Sequence, residues 1–185
     1  MGYALSWVAV KGGTADAVQS ALGLCPTGQR EEIPESDIVA AALPNGWYLV
    51  LQNRSTITDE VLGRLSGLGE LVYCFVEDHV MFSSVSAWYG GALSWSVVHD
   101  SEKGHYHIEV HGEVPPVFAS VRDRLKAAQD AAGGDKSDTD YIYDVPIELA
   151  RALTGFRHDQ DISGVEGDAF HVLEGVKKTS RWKLF

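Results

Sequence analysis

A row of histidines with one glutamate among them is the part of this sequence best suited to chemistry. Side chains alternate across a strand, so a strand over His105–His111 would place His105, His107 and Glu109 on one face. His99 precedes a short turn, and we expect it to lie opposite His105. Imidazole and carboxylate groups are ligands of zinc and other transition metals. One hypothesis is therefore a metal-dependent hydrolase with Zn bound by His99, His105, His107 and Glu109.

A strand with one solvent-facing side predicts the same alternation, because its polar residues face water and its apolar residues face the core. Residues two apart on a strand lie ~6.6 Å apart at the backbone, a span that metal ligands can bridge but do not favour. The sequence has no His-Glu-x-x-His motif, and its His-x-Glu lacks the Pro-Cys-x-x-Cys of zinc deaminases. A protein without a cofactor thus stands as the alternative to the metal site.

A second polar cluster is formed by His158-Asp159-Gln160-Asp161, with Asp140 and Asp144 upstream. Two carboxylates beside an imidazole could perform acid–base chemistry. The same residues could equally line a loop, since a charge run is usually a solvated surface. The sequence leaves both interpretations open.

The C-terminal third carries most of the negative charge. The net charge of the chain is −11, and the segment 130–168 holds ten acidic and three basic residues. Binding to phosphates needs clustered Lys and Arg, so the charge disfavours nucleic acid. Opposite fields steer association, which favours a basic protein as the partner, although acidity can also serve solubility alone. The acidic residues predicted to contact this partner are Asp135, Asp138, Asp140, Asp144, Asp159 and Asp161.

Aromatic residues gather around a glycine pair in the middle of the chain. Trp88, Tyr89 and Trp95 lie close to Gly90-Gly91. They predict either apolar anchors at a partner interface, with Trp88 and Trp95 as the contacts, or the wall of a pocket in a small-molecule sensor. The same alternatives apply to Trp47, and core packing is the default for all of them.

The elements that must position these groups indicate one α+β domain. The first 77 residues have the order β-α-β-β-α-β of a ferredoxin-like unit, with strands at 3–10, 37–42, 47–52 and 70–76. Between the first helix and the second strand, Cys25–Glu35 is polar with two prolines and is predicted to be a loop. Short turns join the later strands at 80–89, 92–99 and 105–111, which favours extension by an antiparallel meander. C-terminal helices beginning near Pro115 and Pro146, and a strand from Phe170, complete the prediction.

Composition favours a cytoplasmic protein. The two cysteines, Cys25 and Cys74, are far apart and form no disulfide framework, which suits a reducing compartment. No window approaches the ~18 apolar residues of a membrane span, so no membrane association is predicted. The basic and aromatic tail Lys177–Phe185 is expected to pack on the acidic segment or on another copy.

Two stretches resemble segments of bacterial cytosolic proteins that carry no named activity. They are Leu43-Pro44-Asn45-Gly46-Trp47-Tyr48-Leu49-Val50 and the run from Trp95 through His111. The resemblance implies a bacterial cytosolic origin. The acidic segment and the lack of a complete catalytic motif predict a non-catalytic binding protein without a cofactor. Its concrete form is an immunity or inhibitor protein that masks a basic toxin or enzyme, with the hydrolase and the sensor as alternatives.

Overall fold

The computed structural model describes residues 2–176 and has an α+β fold built on a nine-stranded antiparallel sheet. The strands are β1 (Ala4–Lys11), β2 (Leu24–Glu31), β3 (Ile38–Ala42), β4 (Trp47–Asn53), β5 (Glu70–Glu77), β6 (Phe82–Tyr89), β7 (Ala92–Asp100), β8 (Glu109–Gly112) and β9 (Phe170–Gly175). The helices are α1 (Ala15–Leu22), α2 (Asp59–Leu65), α3 (Val117–Ala131) and α4 (Asp144–Thr154). The tail Lys177–Phe185, with its predicted packing, lies outside the described residues.

The strand β1 lies at the centre of the sheet, as its continuous apolar run predicts. The strand order is β2-β9-β3-β4-β1-β5-β6-β7-β8. β1 pairs with β4 on one side and β5 on the other, and every residue from Leu5 to Val10 is buried. Strands β5 to β8 each pair with the next along the chain, which confirms the antiparallel meander.

Helices cover both faces of the sheet, because alternate side chains of a strand point to opposite faces. On one face, Trp7 and Leu51 belong to an apolar core that includes residues of α3 and α4. On the other face, Val8 and Val50 belong to a second core that includes residues of α1 and α2. The two cores explain why the central strands are apolar on both sides.

The local turn signals are confirmed. The Thr14 hydroxyl accepts the Ala17 N–H at the start of α1, and Gly23 ends that helix with φ of 68°. Gly46 has φ of 86° in the hairpin between β3 and β4, where Leu43 N–H donates to the Trp47 carbonyl. Glycine adopts this left-handed conformation without the steric cost that other residues meet.

The predicted loop Cys25–Glu35 is wrong for most of its length, because Leu24–Glu31 forms strand β2. β2 lies at the edge of the sheet and pairs only with β9, with an irregular register between Pro26 and Arg30. Proline and polar residues are tolerated there, since the outer side of an edge strand needs no ladder hydrogen bonds. The first 77 residues therefore contain an extra strand, and their order is β-α-β-β-β-α-β.

The predicted strand His105–His111 is also wrong in its first half. Strand β8 begins only at Glu109, and the chain before it turns. The His107 N–H donates to the Gly104 carbonyl, and the ring Nδ1 of His107 accepts the Asp100 N–H at 3.0 Å. These local bonds replace the strand ladder, so the predicted alternation of His105, His107 and Glu109 does not occur.

Among residues 2–176, no helix is long and apolar enough to cross a membrane.

Candidate functional site: an acidic cleft around His158

A cleft of about 500 Å³ opens beside His158 at the end of the sheet where β1 begins. Its volume lies within the ~300–1,000 Å³ that ligand sites in proteins occupy. The carboxylates that line it are Glu32, Asp159, Asp161 and Glu166. The lining contains no Lys or Arg among the residues that the structure describes. We call this feature the His158 cleft.

Three separate segments build the His158 cleft. Tyr3 precedes β1, Glu32 to Pro34 follow β2, and the segment 158–169 links α4 to β9. Pairing of β2 with β9 places Glu31 opposite Phe170, which brings the last two segments together. The Arg30 Nε donates to the Asp168 carbonyl at 2.9 Å across the same junction.

The Glu31 carboxylate fixes the loop after β2. It accepts the N–H groups of Glu35 and Ser36 at 3.0 and 3.1 Å, and it also bonds the Ser36 hydroxyl. Hydrogen bonds between a carboxylate and successive backbone N–H groups hold a turn in one conformation. The position of Glu32 at the cleft is therefore set by its neighbour.

His158 is the buried polar group of the cleft. The residue is 8% exposed, and its Nδ1 has no hydrogen-bond partner within the described part of the chain. The Tyr3 ring meets the imidazole edge-on, with 4.8 Å between the ring centroids. Burial lowers the pKa of His158, as does Arg157, and together they outweigh the raising effects of Asp159 and Asp78. His158 is consequently neutral near pH 7.

Arg157 holds the chain beside His158 through three carboxylates. Its Nε lies 2.6 Å from Asp159 Oδ1, and its terminal nitrogens lie 2.6 Å from Glu148 Oε1 and 3.1 Å from Asp144 Oδ1. Burial raises the pKa of Asp159, but the hydrogen bond and charge of Arg157 lower it more. Arg157 therefore offsets part of the charge on these three acids inside the protein.

The acidic residues predicted to contact a partner occupy different environments. Asp161 is exposed at the cleft, and Asp135 and Asp138 are exposed near the end of α3. Asp144 is paired with Arg157, and the Asp140 side chain is only 4% exposed because it bonds His99. Asp140 is thus a structural residue and cannot reach a partner on the surface.

Two of the histidines predicted to bind zinc, His99 and His107, make other contacts. His99 Nε2 lies 2.9 Å from Asp140 Oδ2, and His99 Nδ1 lies 2.8 Å from the His107 carbonyl oxygen. Glu109 pairs with Val98, one residue from His99, and therefore faces the opposite side of the sheet. His105 Nδ1 is buried without a described partner. Within residues 2–176, no three His, Cys, Asp or Glu side chains are grouped to hold a metal ion.

An aromatic groove of about 340 Å³ lies at the other end of β1, where Lys11 ends the strand. The aromatic residues that line it are Trp47, Trp88, Tyr89 and Trp95. Trp47 and Trp95 are mostly buried in the core, whereas Tyr89 is 70% exposed. The structure thus brings together the aromatic residues that the sequence singled out.

No family model matches this chain, and comparison with curated proteins and with solved structures found no significant match.

The sequence pointed to part of the His158 cleft and missed the rest. His158, Asp159 and Asp161 form a visible cluster, and Glu166 belongs to the acidic segment 130–168, but Tyr3 and Glu32 gave no signal. Tyr3 and His158 are adjacent only because β1 and the segment after α4 meet in the folded chain. A local sequence pattern cannot predict a contact between residues as far apart in the chain as Tyr3 and His158.

Proposed function

We propose that the protein is a non-catalytic binding protein that recognises a basic partner protein through the His158 cleft. The observation that carries this proposal is the lining of the cleft, where four carboxylates meet with no basic residue among the described lining. Glu32, Asp161 and Glu166 make no ion pair with any described residue, so their charge is available to a partner.

The charge of the whole molecule supports the same function. With a net charge of −11, the protein attracts a basic surface over distances longer than a direct contact. Complementary fields raise the association rate and orient the partner. The cleft then supplies the local contacts that distinguish a specific site from general attraction.

The chemistry of the lining favours binding over catalysis. The described lining of the His158 cleft contains no Ser, Cys, Thr or Lys that could serve as a nucleophile. The Nδ1 of His158 has no described hydrogen-bond partner, so no carboxylate orients the ring from that side as in a nucleophile–base–orienter arrangement. A neutral imidazole between carboxylates is instead a hydrogen-bond acceptor for a basic group.

In its concrete form, we propose a bacterial cytoplasmic immunity or inhibitor protein that masks a basic toxin or enzyme. A stoichiometric inhibitor needs a stable surface and a charge opposite to that of its target, and it needs no cofactor. We further propose that β1, β3, β4 and β5 with α1 and α2 are a ferredoxin-like unit. Their order β3-β4-β1-β5 and the position of both helices on one face support this.

The proposal is tested with a fluorescent arginine- and lysine-rich peptide at physiological ionic strength. The cleft variant combines Glu32→Gln, Asp161→Asn and Glu166→Gln. The control combines Glu60→Gln, Glu113→Gln and Glu174→Gln, which removes the same charge from exposed positions outside the cleft. We expect about tenfold weaker binding for the cleft variant and little change for the control. Equal losses in both would reduce the effect to net charge and overturn the proposal.

The aromatic groove favours a second candidate, the binding of a small molecule. Three Trp side chains and one Tyr surround a cavity that Lys11 and Glu70 border with opposite charges. A ligand of the folded state must raise the unfolding temperature. Screening metabolites by thermal shift, with Tyr89→Ala against Tyr141→Ala as a variant remote from the groove, would identify such a ligand. If a ligand raised the unfolding temperature of Tyr89→Ala as much as that of the wild type, this groove would not be its binding site.

A further inference from the structure

We infer that the His158 cleft receives a single arginine side chain of the partner, with its guanidinium between the carboxylates and the His158 imidazole. This inference rests on the proposed function and names the group that the cleft selects. A negative surface alone would attract arginine, lysine and metal ions alike. The inference states that the cleft prefers arginine among them.

The walls of the His158 cleft fit an aliphatic stem that ends in a charged group. Ile33, Val165 and Phe170 line the cleft together with the carboxylates. Ile33 is 64% exposed, so its apolar surface is open to a ligand in the cleft. Arginine and lysine both pack their methylene stems on apolar surface while the charged end meets polar groups. The walls therefore select a long basic side chain over a small cation.

The polar groups of the cleft suit a guanidinium better than an ammonium. A guanidinium has five N–H donors in one plane and can pair with carboxylates through two parallel hydrogen bonds. Asp161 and Glu166 offer carboxylates without a described ion-pair partner, and His158 offers a nitrogen lone pair. An ammonium is more strongly hydrated and has three donors, so it loses more on entering a partly apolar cleft.

The Tyr3 ring provides a further feature that arginine uses. It is 43% exposed and stands edge-on to the His158 ring at the cleft. A guanidinium stacks on aromatic faces, which adds to its hydrogen bonds with carboxylates. Tyr3 thus offers a partly exposed ring beside His158 on which a guanidinium can stack.

Small probes test this assignment on the whole protein. N-acetyl-arginine methylamide, its lysine counterpart and its uncharged citrulline counterpart are titrated while the ring ¹⁵N shifts of His158 are followed. We expect the arginine probe to shift these signals and to bind about tenfold more tightly than the lysine probe, since only a guanidinium can make two parallel hydrogen bonds to a carboxylate. The citrulline probe should not bind measurably, because it keeps the shape but lacks the charge.

Two substitutions of the imidazole sharpen the test. His158→Phe removes the acceptor and should weaken arginine binding about tenfold, whereas His158→Asn keeps a carbonyl acceptor and should lose less. Equal affinity for arginine and lysine would overturn the inference, and so would stoichiometric Zn²⁺ binding that displaces the arginine probe. The lysine and arginine probes are also titrated into the cleft variant defined above. If both probes bind the wild type equally and the cleft variant binds both more weakly, the proposed function stands and only the choice of arginine fails. If that variant weakens neither, both fail.

Discussion

Both ring nitrogens of His99 are committed inside the protein. A carbonyl oxygen can only accept, so Nδ1 carries the proton that bonds the His107 carbonyl. A second proton must lie between Nε2 and the Asp140 carboxylate. Burial raises the pKa of Asp140, but the hydrogen bond and charge of His99 and the Tyr143 N–H lower it more. The His99–Asp140 pair is therefore a buried hydrogen-bonded contact that joins β7 to the segment before α4.

Replacing Asp140 removes the carboxylate that holds the buried His99 ring. We expect Asp140→Asn to lower the free energy of unfolding by about 1–3 kcal/mol, because it weakens the buried hydrogen bond to His99. The loss should be measured by urea denaturation followed by circular dichroism. Asp138→Asn, at an exposed position two residues away, should change stability by less than about 0.5 kcal/mol. Similar small effects for both variants would contradict a stabilising role of the His99–Asp140 hydrogen bond.

Arg157 provides a second residue-scale prediction. Its side chain is 13% exposed and faces three carboxylates, of which Glu148 is 15% exposed. Arg157→Met keeps most of the packing and removes the charge, so we expect a loss of about 3 kcal/mol in unfolding free energy. Arg54→Met breaks an ion pair whose arginine is 75% exposed and should cost at most about 1 kcal/mol. Both variants should be measured by thermal and by urea unfolding. If Arg157→Met cost no more unfolding free energy than Arg54→Met, Arg157 would stabilise the fold only through packing.

At the scale of the elements, the end of strand β8 depends on one glycine. Gly112 has φ of 74°, and a Cβ there would lie 2.2 Å from the Ser94 carbonyl oxygen. Gly28 in β2 has φ of 87° with no atom near its Cβ position. The two positions share the same backbone requirement and differ in the space around them.

Alanine substitution separates these two effects. We expect Gly28→Ala to cost about 1 kcal/mol, from backbone strain alone. Gly112→Ala should cost clearly more, because the β7–β8 pairing must also move. Hydrogen exchange of the β7 and β8 amides should increase in the second variant and not in the first. Unchanged exchange in Gly112→Ala would show that the sheet edge adapts without loss of pairing.

At the scale of the whole molecule, the buried His158 makes the free energy of unfolding depend on pH. The pKa of His158 is lower in the folded protein than the ~6.5 of an unfolded chain. The unfolded state therefore binds more protons as the pH falls below about 6.5, and the stability of the folded state decreases with it. The Asp140 and Asp159 carboxylates, with lowered pKa values, contribute stability above about pH 4 that is lost at lower pH.

The prediction is a loss of unfolding free energy, as the pH falls below about 6.5, that depends on His158. Urea denaturation over this range should show the loss in the wild type and in His171→Phe, whose histidine is exposed. His158→Phe should show a much flatter profile, because Phe does not titrate. Parallel profiles in all three proteins would exclude His158 as the group responsible.

The sequence by itself determined the local framework of this protein. The apolar run of β1 predicted a central strand, Thr14 and Gly23 predicted the ends of α1, and Asn45-Gly46 predicted a hairpin. These features depend on backbone preferences and on periodic burial, which neighbouring residues specify. The α+β class and the antiparallel meander follow from the same local information, because short turns permit only antiparallel neighbours.

Only the tertiary structure decided which polar groups meet. The pairing of β2 with β9 places Glu32 beside the segment after His158, and the pairing of His99 with Asp140 removes both from the surface. Such contacts join residues far apart in the chain. Their free energy depends on how deeply the residues are buried, which the sequence of one segment does not specify. The sequence showed the charge and the type of each residue. Only the packed fold decided which acidic residues form buried pairs and which stay exposed.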